Sequence, residues 1–228
     1  MTMISNQQKP LTGLLGGTFD PIHLGHTWIA QSLIESLGLR KVLFMPCHTP
    51  VHKSLPKASA EQREAMVQLA LENHPKCALH RFELLQKKPI YTYTTMAELV
   101  KEGIKPALIL GADAWEDFPT WENGDCILKS GHIIVVNRPG FDWPPSSHEE
   151  SPLESSITQD LADLEQNDFG KILLKKIDFP ENFYDNFSSS NIRQQITLGG
   201  QPQGKLDDKV FSYCQKHRIY EENSHDTP

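Results

Sequence analysis

Within residues 11 to 46 the chain spells a strand, a helix and a second strand, and that order leaves few folds open. "LTGLLGG" is a short apolar run that ends in Gly16 and Gly17. "HTWIAQSLIESLG" follows, with Ala30, Leu33, Ile34 and Leu37 at helical spacing and Gly38 placed to stop the helix. "KVLFMP" then supplies another apolar strand. Two strands joined through a helix must run parallel, with a right-handed crossover, and a parallel sheet needs both faces covered.

The alternation persists. In "SAEQREAMVQLALENHP" Ser59 and Gln62 have capping-box spacing, Met66, Leu69 and Ala70 make an apolar face, and Pro75 marks the end. "CALHRFEL" reads as a strand, "TTMAELVKEG" as a helix, and "PALILGAD", "GHIIVVNRPG" and "KILLKKIDFP" as further strands. The expected class is α/β: a Rossmann-like, doubly wound parallel sheet with helices on both faces. From about 141 to 170 the pattern lapses into proline, serine and acid, as in "FDWPPSSHEESPLESS", which predicts an exposed insertion. "SSSNIRQQITLGG" and "LDDKVFSYCQKHR" predict a C-terminal helical segment over about 189–220. With 228 residues, one domain spanning 1–228 is expected.

A net charge of −7 argues against a nucleic-acid surface but permits a small positive pocket for a phosphorylated metabolite. Cys47, Cys77, Cys126 and Cys214 form no C-x-x-C pair, which predicts reduced thiols and a cytoplasmic setting. The start "MTMISNQQKP" lacks the apolar core of a signal peptide, and no run is long enough for a bilayer. No membrane partner is expected, and no feature sets an oligomeric state.

The chemistry concentrates in "GLLGGTFDPIHLGH", residues 13 to 26. Glycines at a strand end allow close backbone approach by a ligand, and the helix that follows presents unpaired N–H groups and the positive end of its dipole. His23 and His26, in the first turn, add donors aimed at the same place. Phosphate is the expected guest. A zinc cluster drawn from His23, His26, Cys47, His48 and His52 is disfavoured, because neither local pair has a finger spacing and the strand-to-helix setting explains the first two. No protein-held metal site is expected.

"GGTFDPIHLGH" resembles the signature of the nucleotidyltransferases that share an H-x-G-H motif with class I aminoacyl-tRNA synthetases. Downstream, "MPCHTPVHK", "YTYTT", "GADAWEDFPTW", "VVNRPG" and "SSSNIR" fall in the order of the bacterial nicotinate-nucleotide adenylyltransferases, so the resemblance runs from 11 to about 220. The chain departs from that family at Pro50-Val51, where two prolines are usual, and at Phe187, Ser188, Ser189 and Ser190, where Ile-Ser-Ser-Thr is usual.

The resemblance implies transfer of AMP from ATP to nicotinate mononucleotide, releasing pyrophosphate. It implies that Gly16, Gly17, Thr18, Phe19, His23, His26, Gly111, Asp113, Ser189, Ser190 and Arg193 bind ATP. Of these, His23 and His26 suit the α- and β-phosphates, the planar Arg193 fork the β- and γ-phosphates, and Asp113 the ribose. His48, Lys53 and Arg138 are the candidates for the mononucleotide phosphate, and Tyr91, Thr92 and Trp121 for its ring. The attacking phosphate is already a dianion, so the catalytic set is His23, His26 and Arg193, with no side-chain base. Mg²⁺ would accompany ATP, held by phosphate oxygens and water. The rival readings are a related adenylyltransferase using nicotinamide mononucleotide or phosphopantetheine, and a non-catalytic nucleotide-binding module.

Overall fold

The computed structural model describes residues 10–49, 55–86, 88–138, 140–145, 153–181, 183 and 187–221. In chain order the elements are β1 (Leu11–Gly17), α1 (Leu24–Leu37), β2 (Lys41–Pro46), α2 (Ala60–Leu71), β3 (Cys77–Leu79), α3 (Phe82–Gln86) and α4 (Thr92–Lys101). They continue with β4 (Lys105–Gly111), α5 (Ala112–Glu116), a 3-10 turn (Phe118–Thr120), α6 (Gly124–Ser130) and β5 (His132–Val136). After a 3-10 turn (Glu154–Ser156) come β6 (Ile157–Thr158), α7 (Leu161–Gln166), β7 (Ile172–Lys175), α8 (Ser189–Thr197) and α9 (Asp208–Lys216).

The strands form one seven-stranded parallel sheet in the order β3-β2-β1-β4-β5-β7-β6. The chain therefore walks outward from β1 in one direction, returns, and walks outward in the other. With right-handed crossovers that reversal puts helices on both faces. Buried strands without alternation are the mark of a sheet covered on both sides, and β5 is buried at all five positions.

The chain divides into two compact units interleaved along the sequence. One comprises Met1–Leu15, Ile34–Val42 and Tyr91–Ile177; the other comprises Gly16–Leu33, Leu43–Ile90 and Asp178–Pro228. In the first, β1 pairs with β4 from Leu11↔Lys105 to Leu14↔Leu108, and β4 pairs with β5 from Ala107↔His132 to Gly111↔Val136. A Cβ on Gly13 would sit 2.9 Å from Ile109 Cδ1 and 3.0 Å from Val42 Cγ2, so this strand requires glycine to pack. Gly38 ends α1 at φ +61°, the left-handed conformation that glycine adopts without penalty. In the second unit, α2 begins at a complete capping box: the Gln62 N–H donates to Ser59 Oγ at 3.2 Å and the Ser59 N–H to Gln62 Oε1 at 2.8 Å.

Two expectations are corrected. The strand predicted from "CALHRFEL" ends at Leu79, where the His80 N–H donates to the Phe44 carbonyl at 2.8 Å, and the rest winds into α3, burying Glu83 and Leu84. Short apolar runs carry too few residues to separate a period of two from one of 3.6. The exposed insertion predicted over about 141–170 also contains structure. Ile157–Thr158 pairs in parallel with β7, and α7 buries Leu164 completely. A two-residue strand and a six-residue helix are too short to show a period. Residues 146–152 of that insertion lie outside the described residues. No described helix is long and apolar enough to cross a membrane.

Candidate functional site

In the unit containing Gly16–Leu33, the H-x-G-H turn is built as a helix cap. His23 immediately precedes α1, and the His26 N–H donates to its carbonyl at 2.9 Å. In return the His23 N–H donates to His26 Nδ1 at 3.2 Å, an imidazole taking the part of the acid in a capping box. With Nδ1 accepting, the proton of the neutral His26 ring sits on Nε2, leaving that nitrogen as a donor. The rings of His23 and His26 stack at 3.7 Å, and Phe19 meets His26 edge-on at 5.0 Å. His23 is buried, and desolvation lowers its pKa to about 4 despite a main-chain hydrogen bond that raises it. It is therefore a neutral ring near pH 7.

The middle glycine of the motif has a packing cause. A Cβ on Gly25 would lie 2.7 Å from Phe187 Cβ and 3.1 Å from His23 Nδ1, so only glycine lets the segment before α8 close on the turn. Gly16 is different: it is exposed, and the nearest atom to its would-be Cβ, Met45 Cε, is 3.5 Å away. The protein does not need glycine there sterically, which leaves that space open to a ligand.

Helix α8 brings Ser189, Ser190 and Arg193 to the same turn. The capping hydroxyl is that of Ser188, which accepts from Asn191 N at 3.4 Å, rather than those of the two following serines. Ser189 Oγ donates to the Pro21 carbonyl at 2.9 Å. Arg193 donates through Nη1 to the Asp20 carbonyl at 2.7 Å and through Nη2 to Ser190 Oγ at 3.1 Å. Those bonds use two of the five guanidinium N–H groups and fix the plane of the rest.

Three groups that the sequence reading did not single out hold this region together. The Asp20 carboxylate, 5% exposed, accepts from Lys57 N at 2.8 Å, Ala58 N at 3.0 Å and Tyr220 Oη at 2.7 Å. Arg63, 1% exposed, donates to the carbonyls of Thr18 at 2.8 Å, Cys47 at 2.6 Å and His48 at 2.7 Å. It thus ties the loop after β1 to the loop after β2. An arginine on a helix reads as a solvated charge; only its burial shows otherwise. His48 is half-buried on that second loop, and Lys53 lies outside the described residues. Cys47 is held protonated, its pKa raised by burial.

The other unit collects the remaining candidates. Gly111 and Val136 are register partners at the ends of β4 and β5, so the residues two beyond each, Asp113 and Arg138, emerge side by side and form an ion pair. A Cβ on Gly111 would meet Asp113 Oδ1 at 2.5 Å, so glycine lets that carboxylate fold back over the strand end. Asn137, between them in chain order, exchanges two hydrogen bonds with the main chain of Ile177, at 3.0 and 2.6 Å. Thr92 opens α4 after Tyr91, whose side chain makes no cap bond, so the Thr92 N–H is among those a helix start leaves without an intrahelical acceptor. Trp121 is half-buried against Phe118, with ring centroids 5.6 Å apart.

Among the described residues no group of three or more His, Cys, Asp and Glu is arranged to hold a metal ion. The Asp20 oxygens accept from N–H and O–H donors, and Asp113 pairs with Arg138.

Comparison with known proteins adds four findings. The family model described as cytidylyltransferase-like matches residues 14–195. The sequence is similar to a probable nicotinate-nucleotide adenylyltransferase of Hahella chejuensis, 38% identical over 211 residues that span 91% of this chain and 94% of that one. It is similar at 35% identity over 217 residues to the nicotinate-nucleotide adenylyltransferase of Salmonella typhimurium, spanning 93% of this chain and 99% of the relative. Among solved structures, the fold matches Plasmodium falciparum nicotinic acid mononucleotide adenylyltransferase complexed with NaAD, with a TM-score of 0.69 at 20% identity, over 94% of this chain and 98% of that one.

Proposed function

This chain belongs to the cytidylyltransferase-like family, and from that premise we propose that it is a nicotinate-nucleotide adenylyltransferase, a step of NAD biosynthesis. The phosphate of nicotinate mononucleotide attacks the α-phosphorus of ATP. One P–O bond forms, the bond from α-phosphorus to the β-bridging oxygen breaks, and pyrophosphate leaves with the electron pair.

The second pKa of a phosphate monoester is about 6, so the nucleophile needs no base. What the reaction needs is donors that gather two polyanions and meet the charge developing on the leaving group. The observation that carries this reading is the H-x-G-H turn, whose cap geometry leaves His26 Nε2 as a donor while Arg193 is braced on the adjacent Asp20 carbonyl. His26 and the neutral His23 serve the α- and β-phosphates, Arg193 the β- and γ-phosphates, and Gly16, Gly17, Thr18 and Phe19 the backbone approach. Ser190 orients Arg193, and Ser189 holds the turn at Pro21. Mg²⁺ fits as an ion held by phosphate oxygens and water, and when bound it neutralises charge on the triphosphate.

In the other unit, Gly111 and Asp113 serve the adenosine, with the Asp113 carboxylate on the ribose. Arg138 serves the mononucleotide phosphate, while Tyr91, Thr92 and Trp121 serve its pyridine ring. Main-chain N–H groups near Thr92 and Glu122 read the nicotinate carboxylate, because a carboxylate accepts from both whereas an amide NH₂ would face a donor. Leaving one buried donor unpaired costs about 1–3 kcal/mol, so the acid is favoured over the amide by tens-fold or more in kcat/KM. Pyrophosphate release from ATP with a panel of acceptors tests the reading: nicotinate mononucleotide should be used best, and equal or better use of nicotinamide mononucleotide or phosphopantetheine would overturn it.

A further inference from the structure

We propose that Tyr220 is a positioning residue for phosphate transfer: its hydroxyl holds the Asp20 carboxylate away from Arg193, so that the guanidinium stays available to a polyphosphate. The proposal rests on the reading of Arg193 as a phosphate-binding group.

Four residues form a closed ring. Arg193 Nη1 donates to the Asp20 carbonyl at 2.7 Å; Tyr220 Oη donates to Asp20 Oδ1 at 2.7 Å. Thr197 Oγ1 lies 2.6 Å from the Tyr220 carbonyl and 3.0 Å from the Arg193 carbonyl, one helical turn back along α8. The residue that orients the carboxylate is thus referenced to the same helix that carries the guanidinium. Tyr220 is 7% exposed, and its neighbour's Ile219 N–H donates to Cys214 O at 2.9 Å, which anchors this end of the chain to α9.

The electrostatics explain why such a ring is needed. Asp20 Oδ2 and Arg193 Nη1 form a long ion pair at 3.8 Å, close enough that a small rotation would turn it into a hydrogen-bonded one. A hydrogen-bonded pair would consume the N–H groups that a triphosphate must find. Tyr220 Oη and Ala58 N hold Oδ1 and Lys57 N holds Oδ2, which together fix the plane of the carboxylate and keep Oδ2 from closing on the guanidinium. Of the three donors only Tyr220 contributes a side chain, so only it can be removed by substitution without moving the backbone. Burial and the charge on Asp20 raise the Tyr220 pKa, which keeps the hydroxyl a donor.

The test is a double-mutant cycle in the full chain between Tyr220→Phe and Arg193→Ala, read by the KM values for ATP and nicotinate mononucleotide, by kcat, and by calorimetric binding of inorganic tripolyphosphate. Tyr220→Phe should weaken tripolyphosphate binding and raise the KM for ATP by about tenfold, on the scale of one hydrogen bond to a charged group, with the KM for the mononucleotide unchanged. In the Arg193→Ala background the same substitution should change neither. An equal loss in both backgrounds would make Tyr220 a merely structural residue and overturn the proposal, as would an unaltered Tyr220→Phe protein. Should Tyr220→Phe not fold, Thr197→Val, which removes the hydroxyl bracing the Tyr220 carbonyl, makes the same comparison. Failure of the proposed function would appear separately, as absence of product from the unmutated enzyme, and the tripolyphosphate measurement does not depend on it.

Discussion

The candidate residues for the ATP phosphates and those of the other unit, for adenosine and the mononucleotide, are held in opposite ways. Around His23, His26 and Arg193 the supporting groups are buried charges with several partners each: Asp20 with three donors on its carboxylate, Arg63 with three carbonyls. Around Asp113 and Arg138 the support is an ion pair whose side chains are 34% and 41% exposed, on short helices and turns. The difference follows the demands of each task. In-line displacement at phosphorus tolerates little misplacement, so donors that act in the transition state are worth fixing before the ligand arrives. A group that must release its partner to take up a ribose or a phosphate is better held loosely, and a solvent-screened ion pair exchanges partners at little cost.

The largest expected effect of breaking this contrast is Arg63→Met. It strips three carbonyls of their donor, and at about 1–3 kcal/mol for each buried group the unfolding free energy in urea should fall by about 3–9 kcal/mol. A loss below about 1 kcal/mol would mean that water replaces the guanidinium freely and that this region is as pliable as the other.

Acid should stress both units, through one histidine in each. His23 and His132 are buried and their pKa values are lowered to about 4, for His132 by desolvation first and the nearby Lys105 charge second. A base whose folded pKa lies below its unfolded value of about 6.5 leaves the unfolded chain binding more protons between those limits. Stability should therefore be full above about pH 6.5 and fall by about 3 kcal/mol per histidine as the pH drops toward 4. His132→Asn, which keeps an acceptor for the Lys171 N–H that now donates to Nδ1, should remove part of that slope in equilibrium unfolding followed against pH. An unchanged slope would show that His132 does not titrate with folding.

His26→Ala should lower kcat by about a hundredfold or more, the scale of losing one preorganised donor, with a smaller change in KM. Steady-state kinetics with ATP varied decides it, and an unaltered kcat would remove His26 from the catalytic set. The smallest effect belongs to the open side. Asp113→Ala should change stability by less than about 1 kcal/mol, as for any screened pair, while raising the KM for ATP. Comparable destabilisation by Asp113→Ala and Arg63→Met would erase the distinction between the two regions.

How much of this was legible in the chain divides along a physical line. The long periodic elements, the parallel sheet and the H-x-G-H turn follow from local pattern: apolar runs closed by glycine, a capping box at Ser59, serines ahead of α8. The pairing of Asp113 with Arg138 was not legible, because it depends on β4 and β5 ending in register. Short elements were not legible, because α3, β6 and α7 hold too few residues to display a period. Nor were Asp20, Arg63 and Tyr220 as supports. Their partners lie 37 to 38 residues away for the Asp20 main-chain bonds, 15 to 45 for Arg63 and 200 for Tyr220. A sequence displays which groups carry charge and which donate. Whether a carboxylate is solvated or saturated by buried donors depends on which distant segments fold around it, and only the tertiary structure decides that.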